Sequence, residues 1–356
     1  MLVKYHFPQL KVFFEIPDLY CIVYKALLRI PSGKITTYGE IARALGDIRA
    51  SRGIGQILAL NPWPDKYPCY KVVRSDGTLG NYSYGGLPEK IKRLAAEGID
   101  MSRGKILNFQ DVLVDHRSLG LLPYLASLRR IQETLKQHIT LLPVDSESIR
   151  YILTLDTAYL SESFPEKSIS VGVLYDLEKE KILRISLSLM PIFFPYIPGY
   201  LFFREGPPLL STIENVLSTF SKIDVAILDG HGLLHPRKAG IATHMGILLS
   251  MPTIGVAKKL LYGKVIEASE KRVSPTITVT PIKINDNIAG YRLRKGKSSI
   301  YVSPGNLIDP ESALKIILRL KWTRYKVPDL LYLPHFIASR LRKRLTDLFR
   351  SQNKQV

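Results

Sequence analysis

The sequence predicts an α/β protein, α+β overall, with a helical first block and a mixed-sheet second block. Three observations predict it. Short amphipathic helices separated by turn residues fill residues 1–103. Apolar runs with strand-like alternation, interspersed with helical runs, fill 122–356. Between them "GKILNFQDVLVDHRSLGL", residues 104–121, is weakly periodic and reads as a linker or docking strap.

In chain order, "DLYCIVYKALLRI" places Leu19, Ile22, Val23, Ala26, Leu27 and Ile30 on one helix face, and "PSGK" ends it. "TTYGEIARALG" follows as a second helix, with Thr37 as cap, Glu40 three residues on and Gly46 as its stop. "SRGIGQILALN" is a third, halted by "NPWP", and two short helices joined by a tight turn suggest a helix-turn-helix. In the second block "YILTLDTAY", "ISVGVLYDL", "KILRISLSLM" and "VAILDG" read as strands, and "PPLLSTIENVLSTF" and "IATHMGILLSM" as helices.

A net charge of +19, spread through a globular chain, favours a polyanionic partner, with nucleic acid ahead of an anionic membrane surface. Two cysteines, Cys21 and Cys69, are too few for a disulfide framework, so a reducing, cytoplasmic setting is expected. No apolar run is long enough to span a bilayer, and a monomer is expected. P-loop, zinc-cluster and dinucleotide fingerprints are missing.

Cys69 lies on a proline-stiffened turn, "YPCYKVVR", with Lys71 and Arg74 close by. Cationic neighbours favour a thiolate, whereas a lone cysteine is more commonly an inert small hydrophobe. The motifs "IPSGKITTYGEIARALG", "ASRGIGQILALNPWP", "YPCYKVVRSDGTLGNYS" and "AAEG" occur in the order and spacing of the O6-alkylguanine-DNA alkyltransferases. This block resembles the catalytic and DNA-binding domain of that family, a winged-helix-like fold, over roughly residues 19–100. The resemblance implies that Cys69 accepts the alkyl group from a flipped guanine and is spent. It implies that Tyr38 crowds the target phosphate and that Arg52 fills the gap in the stack. Asn61 would tie the recognition helix to the active-site turn, Tyr82 and Ser83 would close over the base, and Glu97 would end a relay. The family's Pro-Cys-His-Arg is here Pro68-Cys69-Tyr70-Lys71, and a tyrosine with an ordinary pKa of about 10 is a poor base at neutral pH. Two readings stay open: transfer with Lys71 supporting the thiolate, or lesion binding without repair. The retained Cys69 favours transfer.

In the second block Asp156 and Asp229 end apolar runs, and Glu205 lies between them in "FFREGPP". Any one of these acids is more commonly a turn cap, but three hard oxygen donors suit Mg²⁺ or Mn²⁺. Their surroundings, "FFPYIPGYLFFREGPPLL", "LDGHGLLHPRKAGIATHMG" and "PTIGVAKKLLYG", closely resemble endonuclease V over roughly residues 122–320. The resemblance implies an RNase H-like fold and hydrolysis at the second phosphodiester 3′ to a deaminated base, mainly hypoxanthine, in DNA or in inosine-containing RNA. It makes Asp156, Glu205 and Asp229 the metal site, and Pro195, Tyr196, Ile197 and Pro198 the strand-separating wedge. Gly230 and Gly232 become the floor of a lesion pocket, and His235 and Lys258 site residues near the phosphate. His244 matches a helix position that a satisfied core histidine would fill equally well. Where the family carries a late site histidine, Asn306 is aligned here, with Asp309 nearby. The whole reads as a fused DNA-repair enzyme acting on alkylated guanine and deaminated bases. A lesion-binding module that has lost catalysis is the rival.

Overall fold

The computed structural model describes residues 1–160, 165–323 and 326–352. Contacts group the chain into two units. Residues 1–4, 15–131 and 193–198 form the first, and 5–14, 132–192 and 199–356 the second.

The chain starts with a hairpin of β1 (Leu2–Phe7) and β2 (Val12–Pro17). Helix α1 (Leu19–Leu27) is capped by Asp18, whose side chain accepts from the Cys21 amide, and its apolar stripe is buried. Strand β3 (Thr36–Thr37) leads into α2 (Tyr38–Ala44), where Thr37 Oγ1 accepts from the Glu40 amide at 3.0 Å. The Glu40 carboxylate instead accepts from the His116 amide at 2.7 Å and meets its Nδ1 at 2.8 Å, tying the 104–121 stretch to α2. Helix α3 (Ser51–Ala59) follows, then β4 (Val72–Val73), which pairs in parallel with β3. Helix α4 (Gly86–Ala96), β5 (Met101–Ser102), β6 (Lys105–Ile106) and α5 (Phe109–Val112) complete the unit's named elements up to residue 112. The stretch after β6 is packed rather than loose. The Val112 carbonyl accepts from the Ile35 amide, the Val114 amide donates to the Ile35 carbonyl, and Leu119 is buried. Helix α6 (Tyr124–Leu135) comes next.

The second unit is built on a ten-stranded mixed sheet: β7 (Tyr151–Leu160), β8 (Lys167–Asp176), β9 (Lys181–Pro191), β10 (Val225–Asp229), β11 (Thr253–Ala257), β12 (Lys264–Val265), β13 (Lys271–Arg272), β14 (Ile277–Ile284), β15 (Asn287–Lys295) and β16 (Ser298–Pro304). The order is β12-β14-β15-β16-β11-β10-β7-β8-β9, with β13 on β14. Only the β7–β10 and β10–β11 pairs of this sheet are parallel. Helix α7 (Leu201–Leu217) packs on β8 and β9, and α8 (Ile241–Leu249) on β11. Helix α9 (Pro310–Arg319) closes a core with Leu293, Ile300 and Val302. Helix α10 (Asp329–Gln352) lays Leu333, Ile337 and Leu341 on Leu160, Ile169 and Val171 of β7 and β8. Helix α7 starts six residues before the expected Pro207, so Glu205 sits inside it, with Pro207 and Pro208 accommodated in its interior. No helix among the described residues is long and apolar enough to cross a membrane.

Candidate functional site

Two sites emerge, one in each unit. In the first, the short 3₁₀ turn Cys69–Lys71 ends at β4 and presents Cys69 to a cavity of about 430 Å³. Tyr38, Arg52, Arg74, Tyr82 and Ser83 line the same cavity, so the sequence-predicted contact residues converge on the thiol. Asn61, fully buried, donates from Nδ2 to Cys69 Sγ at 3.2 Å and to the Tyr67 carbonyl at 2.9 Å, while its Oδ1 accepts from the Trp63 amide. One amide thus fixes the turn and offers a donor to the sulfur, where negative charge must develop.

Tyr70 does not stand as a base. Its hydroxyl donates to Glu97 Oε1 at 2.6 Å. Glu97 Oε2 accepts from the Gly33 amide at 3.1 Å and pairs with Lys71 Nζ at 2.7 Å. Burial works against the Glu97 charge, but Lys71 and Tyr70 together hold its carboxyl below the ordinary value. Burial and the Glu97 bond both push the Tyr70 phenol up. Lys90, which sequence reasoning missed, is fully buried on α4 and donates to the Val72 and Leu79 carbonyls. Burial pushes it down to about 8, and its charge favours a Cys69 thiolate.

Burial nonetheless pushes the Cys69 thiol above its ordinary value, the Asn61 bond and nearby cations offsetting only part. The nucleophile is therefore mostly protonated at neutral pH. Alkyl transfer from O6-methylguanine DNA is expected to accelerate steadily from pH 7 to 9, as the thiolate fraction grows. Single-turnover rates across that range check this; a profile already flat at pH 7 contradicts it.

In the second unit Asp229 closes β10, and Asp156 lies six residues into the parallel neighbour β7. Leu228 pairs with Leu155 in register, so the next residue on each strand, Asp229 and Asp156, faces the same side of the sheet. Lys258 Nζ meets Asp229 Oδ2 at 2.7 Å, and His335 Nδ1 meets Asp156 Oδ2 at 2.8 Å. Glu205 comes in from α7 and accepts from the Tyr159 hydroxyl. Arg204 stacks over the Tyr159 ring at 4.2 Å and pairs with Glu166 at 2.8 Å.

Electrostatics bind these acids into one cluster. Burial pushes Glu205 up to about 8, with the Tyr159 bond opposing and the Asp229 and Asp156 charges adding to the rise. Burial and the Asp156 charge also raise Asp229, against the pull of Lys258. The Asp156 bond raises His335, and the Asp229 charge raises Lys258 despite its partial burial. Among the described residues no three His, Cys, Asp or Glu side chains form a ready-made metal cage. The donor set fits a hard divalent cation all the same: three oxygen donors that repel one another, each only partly buried.

Sequence reasoning also missed His335. It stands beside Asp156, across 179 residues of chain. Asn306 does other work. It is buried, its Oδ1 accepts from the Thr140 amide at 2.8 Å, and its Nδ2 donates to the Gly246 carbonyl at 3.2 Å. Asp309 caps α9. Asn306→Ala leaves the Thr140 amide without its acceptor, whereas the Gly246 carbonyl keeps the Met251 amide, and is expected to cost about 1–3 kcal/mol while nicking at 25 °C survives. Denaturant melts paired with the nicking assay check this; lost nicking at unchanged stability contradicts it.

The remaining predicted residues fall into place less directly. His235 is buried, its ring nitrogens toward the Gly199 carbonyl and the Arg237 amide. His244 is a core residue stacked on Phe202 at 4.1 Å, and burial pushes it down to about 3. At Gly232 a Cβ would lie 2.0 Å from the Pro304 carbonyl oxygen, and at Gly230 one would strike Ile241, so packing alone demands glycine at both. Of the wedge residues, Tyr196 is half exposed and Ile197 is buried; all four belong to the first unit, whereas the acids belong to the second.

Comparison with known proteins matches both halves of the chain. The family model for endonuclease V matches residues 133–336, and that for the DNA-binding domain of 6-O-methylguanine DNA methyltransferase matches 18–99. A bifunctional methyltransferase/endonuclease of Picrophilus torridus is 35% identical, covering 92% of this chain and 97% of its own. A second, of Thermoplasma volcanium, is 34% identical over 86% of each. The crystal structure of endonuclease V from Bacillus subtilis superimposes with a TM-score of 0.55 at 27% identity, covering 64% of this chain and 94% of that one. The fold also matches Ciona intestinalis endonuclease V in complex with a DNA containing an inosine, at TM-score 0.54 and 22% identity, covering 62% and 98%.

Proposed function

We infer the working of each site from one premise: the chain belongs to the bifunctional methyltransferase/endonuclease family, a DNA-repair enzyme with a methyltransferase half and a metal-dependent endonuclease V half. The observation that carries the reading is the placement of Asp156 and Asp229 side by side on β7 and β10, each paired with a cation.

In the nuclease half, Asp156, Glu205 and Asp229 would hold Mg²⁺, with Mn²⁺ as a substitute. When bound, such an ion supplies Lewis-acid polarisation of the phosphodiester and a water of lowered pKa. Lys258 and His335 bring positive charge to the phosphate from either side. His335, whose charged form the Asp156 bond favours, is the candidate to give a proton to the leaving 3′ oxygen. The substrate is DNA with a deaminated base, cut at the second phosphodiester on the 3′ side.

In the methyltransferase half, the guanine flips into the cavity that exposes Cys69, with Arg52 entering the stack and Tyr38 at the phosphate. The sulfur–carbon bond forms as the carbon–O6 bond breaks, and the thiol proton ends on the released guanine. Asn61 and Lys90 stabilise the sulfur as it loses that proton; Tyr70 and Lys71 act by holding Glu97, which anchors the turn to Gly33.

The test uses the whole chain on two oligonucleotides. An inosine duplex is expected to be nicked with Mg²⁺ and left whole with EDTA. An O6-methylguanine duplex is expected to add one methyl mass to the Cys69 peptide, with or without EDTA. Nicking that survives EDTA, or transfer that needs metal, contradicts the assignment of chemistry to sites.

A further inference from the structure

Helix α10 carries more than His335. Its apolar face, Leu330, Leu333, Ile337, Leu341 and Leu345, is committed to β7 and β8. At about 100° per residue, Arg342 lies only about 20° from His335 around the axis, two turns further on, and Lys343 about 80° from it, against about 140° for Arg340 and about 180° for Arg344. Arg342 and Lys343 are both exposed, and neither forms an ion pair among the described residues. Arg340 and Arg344 are exposed too but lie on the opposite flank, where Arg340 stacks over Phe336 at 4.9 Å. The helix therefore has one cationic edge that starts at the nuclease site and another that does not.

We propose that the edge of α10 running from His335 through Arg342 and Lys343 is a backbone track for the nucleic acid leaving the nuclease site. Seven residues at about 1.5 Å each place Arg342 about 10 Å beyond His335. Phosphates recur about every 3.4 Å of axis along one duplex strand, so Arg342 meets the backbone about three steps from the phosphate at the acidic cluster. Two uncommitted cations at that distance add affinity without reading sequence. Their aliphatic stems need no further packing partner, since the helix is already anchored by its inner face.

The inference rests on the nuclease reading, and the experiment separates the two. Binding of an inosine duplex is followed by fluorescence anisotropy against salt, with Ca²⁺ in place of Mg²⁺, while nicking by the same preparations is followed with Mg²⁺. Arg342→Ala/Lys343→Ala is expected to weaken binding roughly tenfold or more and to flatten the log–log salt slope by about two. Arg340→Ala/Arg344→Ala removes the same net charge and is expected to keep the wild-type slope. Arg342→Lys/Lys343→Arg, which keeps the charge, is expected to keep it as well. A duplex cut back to two steps beyond the site is expected to erase the difference. Equal flattening by both alanine pairs, or a wild-type slope in the first pair, overturns the track. Wild-type protein that does not nick the inosine duplex overturns the nuclease reading instead.

Discussion

Asp229→Asn is expected to lower nicking of an inosine duplex by roughly a hundred- to thousandfold or more, with no loss of melting temperature in the metal-free protein. The carboxylate sits beside Asp156 and Glu205, which already repel it, so removing its charge relieves the fold while stripping the site of a donor. It also leaves Lys258 without its partner, so that cation no longer has a fixed place beside the phosphate. Asp156→Asn is expected to match it in nicking, and additionally to remove the carboxylate that raises the His335 pKa. Nicking assays with calorimetric melts of the same samples give the comparison. An Asp229→Asn protein that nicks at near wild-type rate, or one that is inactive only because it is unfolded, contradicts this account.

Cys69→Ser is expected to abolish methyl transfer to the protein while leaving nicking of the inosine duplex unchanged. A serine hydroxyl in the same buried place is far harder to ionise than a thiol, and the donors that suffice for sulfur do not suffice for oxygen. The chain holds one other cysteine, Cys21, whose sulfur lies 3.1 Å from that of Met1 and outside the residues lining the Cys69 cavity. Intact-mass measurement after incubation with O6-methylguanine DNA reads the result. A methyl gain in Cys69→Ser places the acceptor elsewhere. Tight binding with no gain in the wild type leaves a lesion binder.

Much of this was legible in the sequence because the signals are local. Thr37 caps α2 through the Glu40 amide as its spacing predicts, and the stripe from Leu19 to Leu27 is buried as its period requires. The strands carrying Asp156 and Asp229 follow from their apolar runs, and a parallel pair brings two strand acids together with no local signature. The start of α7 was less legible, because Pro207 and Pro208 look like a helix beginning, whereas packing on β8 and β9 holds them within a helix already under way. His335 was hidden for another reason. Its neighbour in space is 179 residues away, and on the sequence it is one polar residue on the flank of an amphipathic helix. The aligned Asn306 drew attention instead, but its amide serves the backbone of Thr140 and Gly246. Tyr70 looked like a weak substitute base; only its bond to Glu97 shows the side chain turned to a scaffold role.

The central claim is that acids from β7, α7 and β10 share one divalent ion. Anomalous diffraction from crystals of the whole chain grown with Mn²⁺ tests it most directly. The account predicts a manganese peak within bonding distance of carboxylate oxygens of Asp156 and Asp229, with Glu205 in its coordination shell directly or through water. A chain that nicks inosine DNA in Mn²⁺ but shows its manganese bound away from these three residues would contradict it.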